Sequence, residues 1–177
     1  MKKNILILSS SPRVGGNSQT LCHALADGAR STGNDVTILD VSRLYISPCR
    51  GCEYCYHHDR ECCQHDDMDQ VWEYLNQADV LVLASPVYFY NFSAQLKLVI
   101  DRLYARNSCL HPRECALLLT CAGGRGSAKA PRICYQQIAE SLKLHDRGII
   151  TASDVWEEGD IQEHSALQEA YQLGASL

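Results

Sequence analysis

No stretch of this chain approaches the roughly 20 consecutive apolar residues that cross a bilayer as a helix. Basic residues are in the minority, 16 Lys and Arg against 21 Asp and Glu, for a formal net charge of -5. They form no run or stripe, so the electrostatic footprint of a nucleic-acid binder is missing. Internal repeats, low-complexity tracts and Pro/Gly/Ser-rich linkers are absent as well. The 177 residues are therefore expected to make a single domain, long enough to bury a core without staples. Neither the Gly-x-Gly-x-x-Gly dinucleotide fingerprint nor a Gly-Lys-Ser/Thr nucleotide loop occurs. Two lysines precede an apolar run, but Ile5–Leu8 is shorter than the ~7–15 residues of a secretory signal core. A buried strand is expected there, in a cytoplasmic protein whose thiols stay reduced unless they hold a metal.

What is present is a succession of short apolar runs separated by helical patterns. Strands are expected at Asn4–Ser9, Asp35–Leu39, Val80–Ala84, Cys115–Thr120 and, more weakly, Gly148–Ala152. None alternates with polar residues, the pattern of strands covered on both faces of a parallel sheet. Helical spacing marks Ser18–Ser31, Met68–Gln77, Ser93–Ala105, Ala130–Leu144 and Ile161–Leu173, the first ending near Gly33. Five strands alternating with five helices predict an α/β fold, a doubly wound five-stranded parallel sheet with helices on both faces. Ligands of such sheets bind beyond the carboxyl ends of the strands.

The loops at that edge are informative. "SSSPRVGGNSQT" (residues 9–20) runs from the first strand straight into a helix, whose free N–H groups and positive dipole end favour an anion. Ser9, Ser10, Ser11, Asn17, Ser18 and Thr20 offer neutral donors, Arg13 one cation, and Gly15 and Gly16 close backbone approach. A phosphate monoester, and hence a mononucleotide, suits this set; an ordinary Ser/Gly turn with Asn17 or Ser18 as cap is the plainer alternative. After the third strand, Pro86 is expected to end the ladder. Val87, Tyr88, Phe89, Tyr90 and Phe92 then make an aromatic loop fit to shelter a flat ring, with Asn91 for its polar edge, unless they merely pack beneath the next helix.

Residues 47–65 hold five of the ten cysteines, spaced Cys49-x2-Cys52-x2-Cys55-x6-Cys62 with Cys63 adjacent. Thiolates this closely spaced suit a four-iron cluster. Structural zinc more often uses two separated Cys-x2-Cys pairs, although His57, His58 and His65 keep zinc open. Unmetallated thiols are the third reading, and a disulfide knot is disfavoured by a reducing compartment. The segment follows the second strand and leads into an acidic helix start, Asp66, Asp67 and Asp69, which places it near the ligand-binding edge. Cys22, Cys109, Cys115, Cys121 and Cys134 read as ordinary small hydrophobes.

"SSSPRVGGNS" followed by "ASPVYFYNFSAQLKLVIDR" resembles the flavodoxin-like NAD(P)H-dependent FMN reductase group, in the branch that includes the iron–sulfur flavoproteins. The resemblance covers residues 3 to about 125, with the later part matching in pattern only. One departure is Ser10, where the family often has glycine. The resemblance implies the flavodoxin strand order 2-1-3-4-5. It implies that Ser11, Arg13, Asn17 and Ser18, with Ser9 beside them, hold the phosphate of FMN. Pro86, Val87, Tyr88, Phe89 and Asn91 would border the isoalloxazine, and Ala122, Gly123 and Gly124 would close the pocket. Cys49, Cys52, Cys55 and Cys62, or Cys63 as fourth ligand, would hold a [4Fe-4S] cluster. The implied activity is that of an oxidoreductase taking hydride from NAD(P)H, with Tyr88, Phe89 and Tyr90 shaping the nicotinamide site. Electrons would pass to a quinone, a free flavin or the cluster. The alternative is a non-catalytic carrier between redox proteins. A homodimer or homotetramer is implied, with no nucleic-acid or membrane partner.

Overall fold

All five apolar runs become strands of one sheet. In the computed structural model, which describes residues 2–177, the elements are β1 (Asn4–Ser9), α1 (Asn17–Ser31), β2 (Asp35–Asp40), α2 (Tyr54–His57), α3 (Met68–Leu75), β3 (Val80–Tyr88), β4 (Asn91–Phe92), α4 (Ala94–Arg102), β5 (Glu114–Thr120), α5 (Lys129–Ser141), β6 (His145–Ala152) and α6 (Ser165–Ser176). The long strands are parallel in the order β2-β1-β3-β5-β6. This is the expected 2-1-3-4-5 once the two-residue β4, a hairpin partner of the end of β3, is set aside.

Burial explains why a continuous apolar run was needed in each strand. Successive side chains point to opposite faces, and both faces are covered. Leu6, Leu8, Leu81, Leu83, Leu117 and Leu119 enter the core beneath α3, α4 and α5. Their neighbours Ile5, Ile7, Val80, Val82, Ala84, Ala116 and Leu118 enter a second core beneath α1 and α6. Each fully buried aliphatic side chain stabilises the fold by about 1.5–3 kcal/mol relative to exposure.

Three local expectations are corrected. β3 runs through Pro86 to Tyr88, with Pro86 in register with Thr120. Its pairing with β1 ends at Ala84, so proline lies where the sheet has narrowed and an N–H is dispensable on one side. The last helix starts at Ser165 rather than Ile161, because the His164 ring accepts a hydrogen bond from Ala166 N and caps it there. Residues 153–164, of which only 161–164 were expected as helix, fold back over the start of α1. The Asn17 side chain donates to Glu157 O (2.8 Å) and accepts from Gly159 N (3.2 Å).

Helices α1 and α6 touch backbone to backbone. A Cβ on Gly28 would lie 2.0 Å from Tyr171 O, and one on Gly174 would lie 2.0 Å from Leu25 O. No side chain can yield at such a contact, so the helices would have to separate. Gly174→Ala is expected to destabilise by about 1–3 kcal/mol, read as a lower urea midpoint with an unchanged slope; an unchanged midpoint would show that the crossing is loose.

Candidate functional site

The loop after β1 is held from beneath by serines. Ser10 N and Ser10 Oγ both donate to Ala84 O, at 3.0 and 2.9 Å, and Ser93 Oγ donates to Ser10 Oγ at 2.9 Å. The hydroxyl at position 10 thus ties the loop to β3 and to the start of α4, a bond that glycine would not make. Gly15 takes a left-handed φ of 71°. A Cβ on Gly16 would sit 3.1 Å from Arg13 Cβ, so the turn closes around Arg13. Gly16 begins α1 without a side-chain cap, which leaves the first N–H groups of the helix facing the loop.

Ser11, Arg13, Asn17 and Ser18 line one cavity of about 220 Å³. Its other walls are Pro86, Val87 and Tyr88 from the end of β3, Thr120, Cys121 and Ala122 after β5, and Val155 and Trp156 after β6. All three loops expected at this edge therefore meet, and a fourth, after β6, was not foreseen. Thr120 is joined to Ser18 by a 2.6 Å hydroxyl–hydroxyl bond, and Arg13 Nη1 donates to Trp156 O at 3.1 Å. Trp156 is 67% exposed in an acidic loop; a tryptophan in such surroundings was the available signal.

The remaining expected residues stand off this wall. Ser9 is buried below it. Phe89 is 97% exposed at the tip of the β3–β4 turn, where Phe89 and Tyr90 both have left-handed φ. Asn91 spends its side-chain oxygen on Phe92 N (2.8 Å). Gly123 O accepts from Asp154 N and so fastens the 153–160 loop.

A second cavity, about 450 Å³, has Cys49, Cys52, Cys55 and Cys62 around its wall. Arg50, Tyr54 and Gln64 lie between them, and Asp101, Arg102 and Tyr104 close it from the end of α4. Cys63 is exposed and off this wall, with its Sγ 3.9 Å from Cys52 Sγ. Among the described residues no three His, Cys, Asp or Glu side chains converge on a point as they would around a single ion. The segment, expected near the ligand-binding edge, is met by the end of α4 rather than by its start. Ser93 at the start of α4 touches the loop after β1, whereas Arg102, about 14 Å further along the helix axis at 1.5 Å per residue, lines the thiol cavity.

Arg102 shapes this segment. Its buried guanidinium donates to Ser47 O (3.0 Å), Gln64 O (3.1 Å) and Asp66 Oδ2 (2.8 Å), joining both ends of the cysteine run. Its Nε is buried without a partner. Burial raises the Asp66 pKa, but hydrogen bonds from Arg102, Ser47 N and Met68 N outweigh it and hold the carboxyl below its usual range. Among the thiols, the Tyr54 N–H and then Cys63 draw Cys52 down, while burial and then Cys52 push Cys63 up. Burial raises Cys22 to about 12 and Cys115 to about 11, which keeps both protonated as core residues.

A cavity built from a helix-terminal anion cradle and an apolar strand end, at the carboxyl edge of this sheet, defines a flavodoxin-like nucleotide-binding protein. Residues 3–148 match the model of the NADPH-dependent FMN reductase family, and the chain belongs to that family. It is thus an FMN-binding oxidoreductase. An iron-sulfur flavoprotein of Methanosarcina thermophila is 31% identical over 149 residues, 83% of this chain and 75% of that one. One from Archaeoglobus fulgidus is 38% identical over 93 residues, 52% of this chain but only 42% of the relative's length. Among solved structures, the NAD(P)H:quinone oxidoreductase from Methanothermobacter marburgensis superposes with a TM-score of 0.81 at 16% identity, covering 99% of this chain and 96% of that one. An azoreductase from Bacillus anthracis gives 0.77 at 14% identity, covering both chains fully at 100%. Both confirm the fold.

The Asp66–Arg102 pair has a measurable pH signature. Its folded-state carboxyl pKa lies below that of an unfolded aspartate, so the stabilisation is fully present above about pH 4 and fades as pH falls through the depressed value. Hydrogen exchange in residues 47–66, relative to intrinsic rates, is expected to accelerate only below about pH 4. Arg102→Met strands the Asp66 charge and is expected to cost roughly 3–5 kcal/mol in denaturant unfolding.

Proposed function

We propose that this chain binds FMN in the 220 Å³ cavity, admits NAD(P)H to the exposed flavin face and passes electrons to a quinone or a free flavin. The observation that carries this reading is the union of a phosphate cradle and an apolar ring wall in one cavity. Ser11, Arg13, Asn17 and Ser18 stand at the helix-terminal end, and Pro86, Val87, Tyr88 and Ala122 at the other. The uncapped start of α1 and the tight Gly15–Gly16 turn suit a phosphate dianion, which the dipole end and Arg13 would partly neutralise. Bound FMN supplies a hydride acceptor that can release its electrons singly or in pairs. The chain's part is to hold and orient the ring. Tyr88, Phe89 and Tyr90 present exposed aromatic surface at the β3–β4 turn, suited to stacking with a nicotinamide.

The second cavity supports a [4Fe-4S] group on Cys49, Cys52, Cys55 and Cys62. The compact spacing of these four thiols along the chain suits a four-iron group, and all four line one cavity. Arg50 and Arg102 line this volume, and the unpartnered Arg102 Nε is a buried donor suited to an anionic cluster. The names of the curated relatives point the same way. Such a group would lie against the opposite end of α4 from the phosphate loop.

Anaerobically purified protein is expected to show flavin absorbance that NAD(P)H bleaches rapidly, together with iron and sulfide near four each per chain. Flavin that only a ferredoxin-like donor reduces would instead identify an electron carrier. Arg13→Ala is expected to weaken FMN by roughly 1.5–3 kcal/mol, the worth of a charge-assisted hydrogen bond, and to leave riboflavin affinity unchanged in fluorescence titrations. Equal losses for both ligands would remove Arg13 from the phosphate site.

A further inference from the structure

Adjacent cysteines 62 and 63 have separate surroundings. Cys62 is half-buried on the wall of the thiol cavity. Cys63 is exposed outside it and in van der Waals contact with Cys52, the sulfurs 3.9 Å apart. The contact is held from both sides. Gly51 and Glu53 flank Cys52 with left-handed φ of 61° and 58°, a tight turn that presents its thiol outward. Next to Cys63, Gln64 is fastened twice, its backbone oxygen to Arg102 and its side-chain amide to Pro48 O at 3.2 Å. The segment bearing Cys63 is thereby pinned to the segment that leads into Cys49 and Cys52. Both sulfurs are open to solvent, so a small oxidant reaches them without unfolding.

We propose that Cys52 and Cys63 form a reversible disulfide under peroxide, and that this disulfide competes with the cluster for Cys52. The step balances as two thiols and one hydrogen peroxide giving one disulfide and two waters. Cys52 sulfur attacks a peroxide oxygen, the O–O bond breaks, and Cys52 sulfenic acid and one water result. Cys63 sulfur then attacks the sulfenic sulfur, the S–O bond breaks and the second water leaves. Two electrons pass from the sulfur pair to peroxide. An external dithiol reverses the change by taking up the oxidation. With Cys52 tied to Cys63, the cavity keeps Cys49, Cys55 and Cys62 only. The competition, though not the disulfide, rests on the cluster assignment above.

The test uses full-length, FMN-loaded protein without iron, treated with mild hydrogen peroxide, then counted for free thiols and mapped by trypsin and mass spectrometry. Cleavage after Arg50 and Arg60 puts Cys52 and Cys63 on different peptides, and fragmentation separates them from Cys55 and Cys62. The expected result is loss of two thiols per chain and a Cys52–Cys63 link, reversed by dithiothreitol and missing in Cys63→Ser. A Cys55–Cys62 link, or unlinked thiols after peroxide has oxidised exposed Cys109, overturns the proposal. Iron and sulfide uptake read the cluster separately. Peroxide-treated wild type is expected to take up none until dithiothreitol opens the link, and the full complement afterwards, as untreated Cys63→Ser does. A disulfide in protein that never binds iron upholds the pair and removes the competition, whereas equal uptake by linked and unlinked protein overturns the competition directly.

Discussion

A parallel sheet with no polar face is the constraint on which this structure rests. Its strands carry apolar side chains to both sides, so each connection must cross over as a helix that covers one face. Every crossover leaves the sheet at the same edge. That places the turn before α1, the end of β3 and the turns after β5 and β6 side by side, though the members of the last three, Pro86 to Trp156, lie 75 to 145 residues beyond Ser11 in the sequence. The cavity proposed for FMN is thus a consequence of strand direction. The residues there have only to be small, polar or ring-compatible at positions the sheet has already brought together.

The thiol cavity has a different origin. It lies on the α3–α4 side and depends on Arg102, which reaches from the end of α4 to both ends of the cysteine run. A buried arginine is tolerable here because Asp66 answers its charge and, with two carbonyls, accepts from its terminal nitrogens. The same side chain faces the thiols. One residue therefore closes the loop and sets the electrostatics of the space inside it. Helix α4 joins the two cavities, its start bonded to the phosphate loop through Ser93 and Ser10, its end against the cysteines.

Much of this was legible in the residues. The five strands lacked polar alternation and read directly as a two-sided sheet. The phosphate loop carried its donors and glycines in one contiguous stretch. Other parts were not legible, for identifiable reasons. Pro86 read as a strand terminator because a local rule knows nothing of where the neighbouring strand stops. The Ile161–Ser165 boundary read too early because the apolar spacing continues past a cap made by a histidine ring. Trp156 and Val155 went unnoticed because nothing near them in sequence says that residues 153–160 fold over Asn17.

The amino-acid sequence by itself determined the layer order, the anion-binding turn and the presence of a compact thiol run, because each is encoded by neighbours within a few positions. Only the tertiary structure decided which thiols share a wall, that Cys63 faces Cys52 instead, and that the cysteine segment meets the opposite end of α4 from the β1–α1 loop. Those outcomes depend on Arg102, Gln64 and the direction of a helix, contacts between segments up to 55 residues apart. Spacing along the chain does not encode such contacts; they arise when buried donors must find acceptors in a packed interior.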